Sequence, residues 1–143
     1  MQFGAAFLGA VIAALAVSSA SATVRISSDA GGQIGPYLEN LAALRSSGER
    51  VVIDGPCLSA CTLILGVIPH DRICATSKAR LGFHAAWHPD SNGQPVPSRG
   101  GTQLLMNVYP QQVRNWIARR GGLTTRMKYL SGRELYAMVR PCQ

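Results

Sequence analysis

The chain predicts a small single-domain α/β fold, and three observations carry that prediction. From residue 23 onward, short β-branched apolar runs alternate with stretches of helical periodicity. Glycine and proline pairs fall at the borders between them, where the chain must turn. A length of 143 residues suits one domain.

The first 22 residues stand apart. Met1 to Ala22 carries no charged side chain, has an apolar centre from Phe7 to Val17, and ends Ala20-Ser21-Ala22. An apolar run before a small-x-small site is the pattern of a secretory signal peptide, expected here to be cleaved after Ala22, with an uncleaved anchor as the alternative reading. The run falls short of the roughly 20 residues a transmembrane helix needs, so no stable membrane span is expected after cleavage. Residues 23–143 then form the domain.

Thr23-Val24-Arg25-Ile26-Ser27 alternates apolar and polar as a strand does. Ser28-Asp29-Ala30-Gly31-Gly32 turns the chain. Gly35-Pro36 opens a helix with Tyr37, Leu38, Leu41 and Leu44 at helical spacing, and Gly48 closes it. Arg50 to Asp54 is the next strand, which completes a β-α-β unit. Gly55-Pro56 breaks the chain again. The apolar run Leu63 to Ile68 follows and reads as a helix ending near Gly66 or before Pro69.

Strands are expected at Arg72–Thr76 and Arg80–Ala85. Residues 88–101 are rich in turn formers and predict a long loop, either a binding lid or disorder. The remainder is expected to be helical. Val113, Trp116 and Ile117 share one face after Pro110, and Gly121-Gly122 stop that helix. A last helix opens at Ser131-Gly132-Arg133-Glu134, a capping-box pattern, and carries Leu135, Met138 and Val139.

The net charge is +7, and every charged side chain lies beyond Ala22. Apart from Arg119-Arg120 the bases are scattered, with no interleaved aromatics. Nucleic acid is therefore not an expected partner. Four cysteines (Cys57, Cys61, Cys74, Cys142) in an exported chain predict two disulfides, with all three pairings open. Bridging Cys142 would tie down the C-terminus. The Cys57-x3-Cys61 spacing does not match a zinc pair, and no metal site is expected.

Ser59 falls at a strand-to-helix turn. There it either caps the helix or, beside unsatisfied backbone N–H groups, serves as a nucleophile. A nucleophile needs a base, and the candidates are His70, His84 and His88. His70 sits in a solvated turn, and Pro89 places His88 in the loop. His84 emerges from the end of the buried Leu81-Gly82-Phe83 strand, 25 residues after Ser59, which is room for one helix and one strand. A thiolate at Cys57 or Cys61 is a further candidate that bridging would silence.

Four segments in order carry a family likeness: Ile26 to Gly32, with its strand and Gly-Gly turn; the helix and strand through Ile53; the small-residue turn around Ser59; and Arg72 with Arg80-Leu81-Gly82-Phe83-His84. Over roughly residues 24–86, with a weaker echo at 126–139, the chain resembles the Clp protease proteolytic subunit and, more broadly, the ClpP/crotonase fold. The likeness is to a shortened, exported form. It implies layered β-α-β units, with Ser59 as nucleophile, His84 as general base, and the N–H groups of Gly32 and Ala60 as oxyanion donors.

The family's triad aspartate falls on or beside Met127, which cannot orient an imidazole. Glu134, Asp90 or a backbone carbonyl would have to take its place. The resemblance thus implies a serine hydrolase, peptidase-like, with no cofactor, and the expected signal segment places it in the periplasm or outside the cell. Its substrates would be peptides or unfolded protein, and a homo-oligomer stays open. The alternative is a catalytically inactive ClpP-like binding or scaffold protein of the cell envelope.

Overall fold

Val24 and Ile26 of strand β1 (Thr23–Ile26) lie beside Val51 and Ile53 of β2 (Arg50–Ile53) in parallel, and helix α1 (Ile34–Ser47) makes the crossover. The computed structural model describes residues 22–143, so the expected signal segment lies, Ala22 apart, outside the described residues. Gly48 ends α1 at φ 79°, a conformation glycine adopts without penalty. The Arg72 guanidinium then donates to the carbonyls of Leu44, Arg45 and Glu49. It supplies donors to carbonyls at and just past the helix end, where intrahelical N–H partners run out.

After β2 the chain changes sheets. Asp54-Gly55 leads directly into a new strand, β3 (Pro56–Leu58), which the sequence reading did not separate from the serine turn. Gly55 is required there: a Cβ would sit 2.0 Å from the Ser27 carbonyl oxygen. A 3₁₀ turn (Ser59–Leu63) and the short helix α2 (Ile64–Val67) follow, and Ile68 takes up extended backbone before Pro69. His70–Arg72 forms another 3₁₀ turn. Strand β4 (Ile73–Ala75) is accordingly shorter than expected and pairs in parallel with β2.

Strand β5 (Arg80–Phe83) joins β3 in the second sheet. The stretch expected as a loop at 88–101 is ordered instead. Strands β6 (Trp87–Pro89) and β7 (Pro95–Pro97) form a hairpin, and helix α3 (Arg99–Val108) begins inside the span assigned to the loop. Its glycines misled the sequence reading. The Ser98 side chain caps the helix by accepting the Gly101 N–H, and Gly101 lies tight against Ala86. Helix α4 (Gln111–Ala118) matches its predicted face, burying Val113, Trp116 and Ile117.

Strand β8 (Lys128–Ser131) replaces part of the expected helical tail and pairs antiparallel with β5. Helix α5 (Gly132–Tyr136) follows. The capping box does not form: the Ser131 side chain makes no cap bond, and Glu134 turns instead to Arg120.

The result is one parallel sheet in the order β1-β2-β4, a second in the order β3-β5-β8, and the hairpin. The predicted α/β class with β-α-β units is the fold found. Phe83 packs edge-on to Tyr109 with centroids 5.4 Å apart, and against Trp116 at 5.5 Å, which fixes α3 and α4 over the second sheet. Cys74 bridges Cys142, and Cys142 N–H donates to Ala75, so the C-terminal residues lie along β4. Among the described residues, no helix is long and apolar enough to cross a membrane.

Candidate active site

Strands β3 and β5 are parallel neighbours with Cys57 opposite Leu81 and Leu58 opposite Gly82. Residues just past their C-terminal ends therefore come together. Ser59 and His84 occupy those two ends. The His84 Nε2 lies 2.9 Å from the Ser59 Oγ, and both residues are half-buried.

The second ring nitrogen decides the direction of that bond. His84 Nδ1 lies 2.7 Å from the carbonyl oxygen of Ala85. A carbonyl can only accept, so Nδ1 carries the proton of the neutral ring and Nε2 keeps its lone pair. The Ser59 hydroxyl then donates to Nε2, as proton abstraction from that hydroxyl would require.

Ser59 is the one non-glycine residue at positive φ, 55°, among the described residues. Two contacts hold it there. Cys57 and Cys61, on either side, are joined by a disulfide. Gly31, at φ 84°, presses against it so closely that a Cβ would meet the Leu58 carbonyl at 2.5 Å and the Ser59 Cβ at 2.6 Å. The Asp29 turn runs beside β3 through two 2.8 Å bonds, Asp29 N–H to Pro56 and Leu58 N–H to Asp29. The Asp29 carboxylate accepts the Gly31 N–H and the Tyr37 hydroxyl. Burial first, and that bond to Asp29 second, push the Tyr37 hydroxyl up to about 12. Among the described residues, no backbone carbonyl accepts the Gly32 N–H. Ala60 N–H lies in the first turn of the 3₁₀ segment, where no earlier helical carbonyl reaches it.

The Ser59 carbonyl is held as well. Thr62 Oγ1 donates to it at 2.6 Å and lies 2.7 Å from the Tyr109 hydroxyl. The threonine has spent its single proton, so Tyr109 donates to Thr62. Burial pushes the Tyr109 hydroxyl up to about 12, which keeps it a donor.

The remaining candidates lie elsewhere. His70 and His88 are exposed and do not reach Ser59. Asp90 Oδ1 accepts the N–H groups of Asn92 and Gln94 at the hairpin tip. Glu134 forms a two-pronged pair with Arg120 at 2.6 and 2.8 Å, and the Arg120 hydrogen bond holds its carboxyl below the usual carboxylate range. Of Asp90, Glu134 and a backbone carbonyl, the carbonyl (that of Ala85) is the one that touches His84. Met127 packs against Gly82 and, with His84, Trp87, Pro95, Pro97 and Thr125, lines an apolar cavity of about 400 Å³.

The chain is similar to a solved structure of a ClpP1 mutant from Listeria monocytogenes. The two are 15% identical over 81% of this chain and 68% of that one, with a TM-score of 0.48. No protein-family model and no curated protein matches it.

Both Cys57 and Cys61 are bridged, which leaves no thiolate at either position and removes them as nucleophiles. No group of three or more His, Cys, Asp or Glu side chains suited to a metal occurs among the described residues. Sequence reasoning missed the positive φ of Ser59, the Gly31 contact and the Tyr109–Thr62 relay. The first had a visible signal, the symmetric Cys-Leu-Ser-Ala-Cys run. The relay had none, because 47 residues separate its members.

Proposed function

We propose that this chain is a serine hydrolase of peptidase type, acting outside the cytoplasm, with Ser59 as nucleophile and His84 as general base. The single observation that carries it is the 2.9 Å contact between Ser59 Oγ and His84 Nε2, made by a serine held at positive φ. Backbone strain of this kind concentrates where a side chain must be presented in one orientation. The order of strand, Gly-Gly turn, serine turn and histidine strand supports a ClpP-like origin. Two disulfides support a periplasmic or secreted setting.

Ser59 Oγ attacks the substrate carbonyl carbon while Nε2 takes its proton, and the C=O pair moves onto oxygen. The N–H groups of Gly32 and Ala60 receive that oxyanion, each such donor contributing roughly 2.7–4 kcal/mol. Collapse expels the amine, which leaves with the Nε2 proton, and water repeats the sequence to free the acid. The apolar cavity beside His84 seats the substrate side chain. Ala85 offers the imidazolium a dipole where a triad offers a charge. Loss of that charge costs a serine protease about 10⁴ in kcat, so turnover is expected to be slow.

Reaction with a fluorophosphonate tests this. The Oγ–P bond forms, the P–F bond breaks, fluoride leaves and His84 takes the proton. Labelling is expected at Ser59 and is expected to vanish in Ser59→Ala and His84→Ala. Folded protein that is never labelled would end the proposal.

One observation favours a second reading, a non-catalytic binding or scaffold protein: apolar Met127 stands in the acid's expected place and lines the cavity. On that reading Ser59→Ala leaves both stability and phenotype unchanged.

A further inference from the structure

We propose that the Cys57–Cys61 bridge is a positioning element of the Ser59–His84 site, serving to hold the serine backbone more than to stabilise the domain. This rests on the hydrolase reading above. The bridge joins residues four apart, and Ser59 is the middle residue of the ring it closes. That same residue is the one non-glycine at positive φ among the described residues. An L-residue persists in that region only where its surroundings impose it.

The ring imposes it. Cys57 is fixed in β3 opposite Leu81, and Cys61 is fixed in the 3₁₀ turn, so the chain must reverse between them. Gly31 closes the other side, with room for no Cβ. Without the bridge, Ser59 is free to relax toward negative φ, which swings Oγ away from Nε2. A ring this short removes less chain entropy from the unfolded state than the 68-residue Cys74–Cys142 loop does, so the larger share of cross-link stability falls to that other bridge. Both half-cystines are buried, at 0% and 2% exposure, so the bridge is a fixed staple and not a redox switch.

The test compares the parent chain with Cys57→Ala/Cys61→Ala and with Cys74→Ala/Cys142→Ala. Each is treated with a fluorophosphonate, and the labelling rate constant is measured separately from the final labelled fraction and from the unfolding temperature. Loss of the Cys57–Cys61 bridge is expected to slow the rate constant by about tenfold or more, as small misplacements of reacting groups do, with the labelled fraction unchanged. Loss of the Cys74–Cys142 bridge is expected to lower the unfolding temperature further and leave the rate constant at the parent value.

An unchanged rate constant in the first variant, or a fall in labelled fraction alone, overturns the proposal. Should that variant not fold, Cys57→Ser/Cys61→Ser repeats the test, and failure of both to fold makes the bridge structural and overturns it too. A folded parent that is never labelled ends the hydrolase reading instead. Crystal structures of parent and variant then decide the staple: Ser59 leaving positive φ supports it, and Ser59 keeping both its φ and its His84 contact without the bridge overturns it.

Discussion

Thr62 is the buried polar side chain among the described residues, fully enclosed, and it donates to the Ser59 carbonyl. Removing either end of the Tyr109–Thr62–Ser59 relay does not cost the same. Tyr109→Phe deletes a donor but leaves Thr62 still bonded to Ser59 and the ring still packed on Phe83. A net loss of about 1 kcal/mol is expected. Thr62→Val leaves the buried Tyr109 hydroxyl with no partner, at roughly 1–3 kcal/mol. It also takes the side-chain bond away from the Ser59 carbonyl, which keeps its backbone bond in the 3₁₀ turn. Urea unfolding should therefore rank Thr62→Val well below Tyr109→Phe, and equal losses would show that the relay does not run in this direction. At this scale Ser59 and His84 were legible because a hydroxyl after a Gly-Pro break and an imidazole after a buried strand are local signals. The relay was not, since it exists only once α3 folds back on the serine turn.

Among the elements, Asp54 marks the place where the chain leaves one sheet for the other. Its carboxylate accepts from Thr76 at 2.7 Å and from Arg25 at 2.8 Å, joining the ends of β1, β2 and β4. The Thr76 hydrogen bond first, then Arg25, holds its carboxyl below the ordinary carboxylate range. A folded-state value below the unfolded one stabilises the fold above the unfolded value, and the contribution is lost as pH falls through the folded one. Asp54→Asn should thus unfold at a lower temperature than the parent near neutrality, with the gap closing as the solution is acidified below about pH 4. A gap constant across that range would show that the charge plays no part.

The elements that the sequence reading recovered carry their own signal. The α1 crossover, for example, has its Gly48 stop and its leucine face. Those it missed owe their form to a neighbour. In β8 only Leu130 is buried, and the strand exists by pairing with β5. The hairpin of β6 and β7 carries prolines at three of its paired positions, which reads locally as a breaker and fits only an exposed two-stranded ribbon.

For the molecule as a whole, the alternation of strands and helices was enough to predict the α/β class, but not the split into two sheets. That split turns on the two residues Asp54-Gly55, too short a break to register as a boundary. It leaves a small core whose chain ends need tying. The Cys74–Cys142 bridge does this across a separation of 68 residues, and Cys57–Cys61 spans only 4. In the chain-entropy picture the long loop contributes about 4 kcal/mol and the short one about 2. Stabilities of small domains run at about 5–15 kcal/mol, so Cys74→Ala/Cys142→Ala should remove a large share of the total. It would also free the extended segment at Arg140–Cys142 that bonds to Ala75 along the edge of β4. Urea titration should place this variant's midpoint below that of Cys57→Ala/Cys61→Ala. The reverse order would mean that the serine turn, and not the C-terminal tie, holds the fold together.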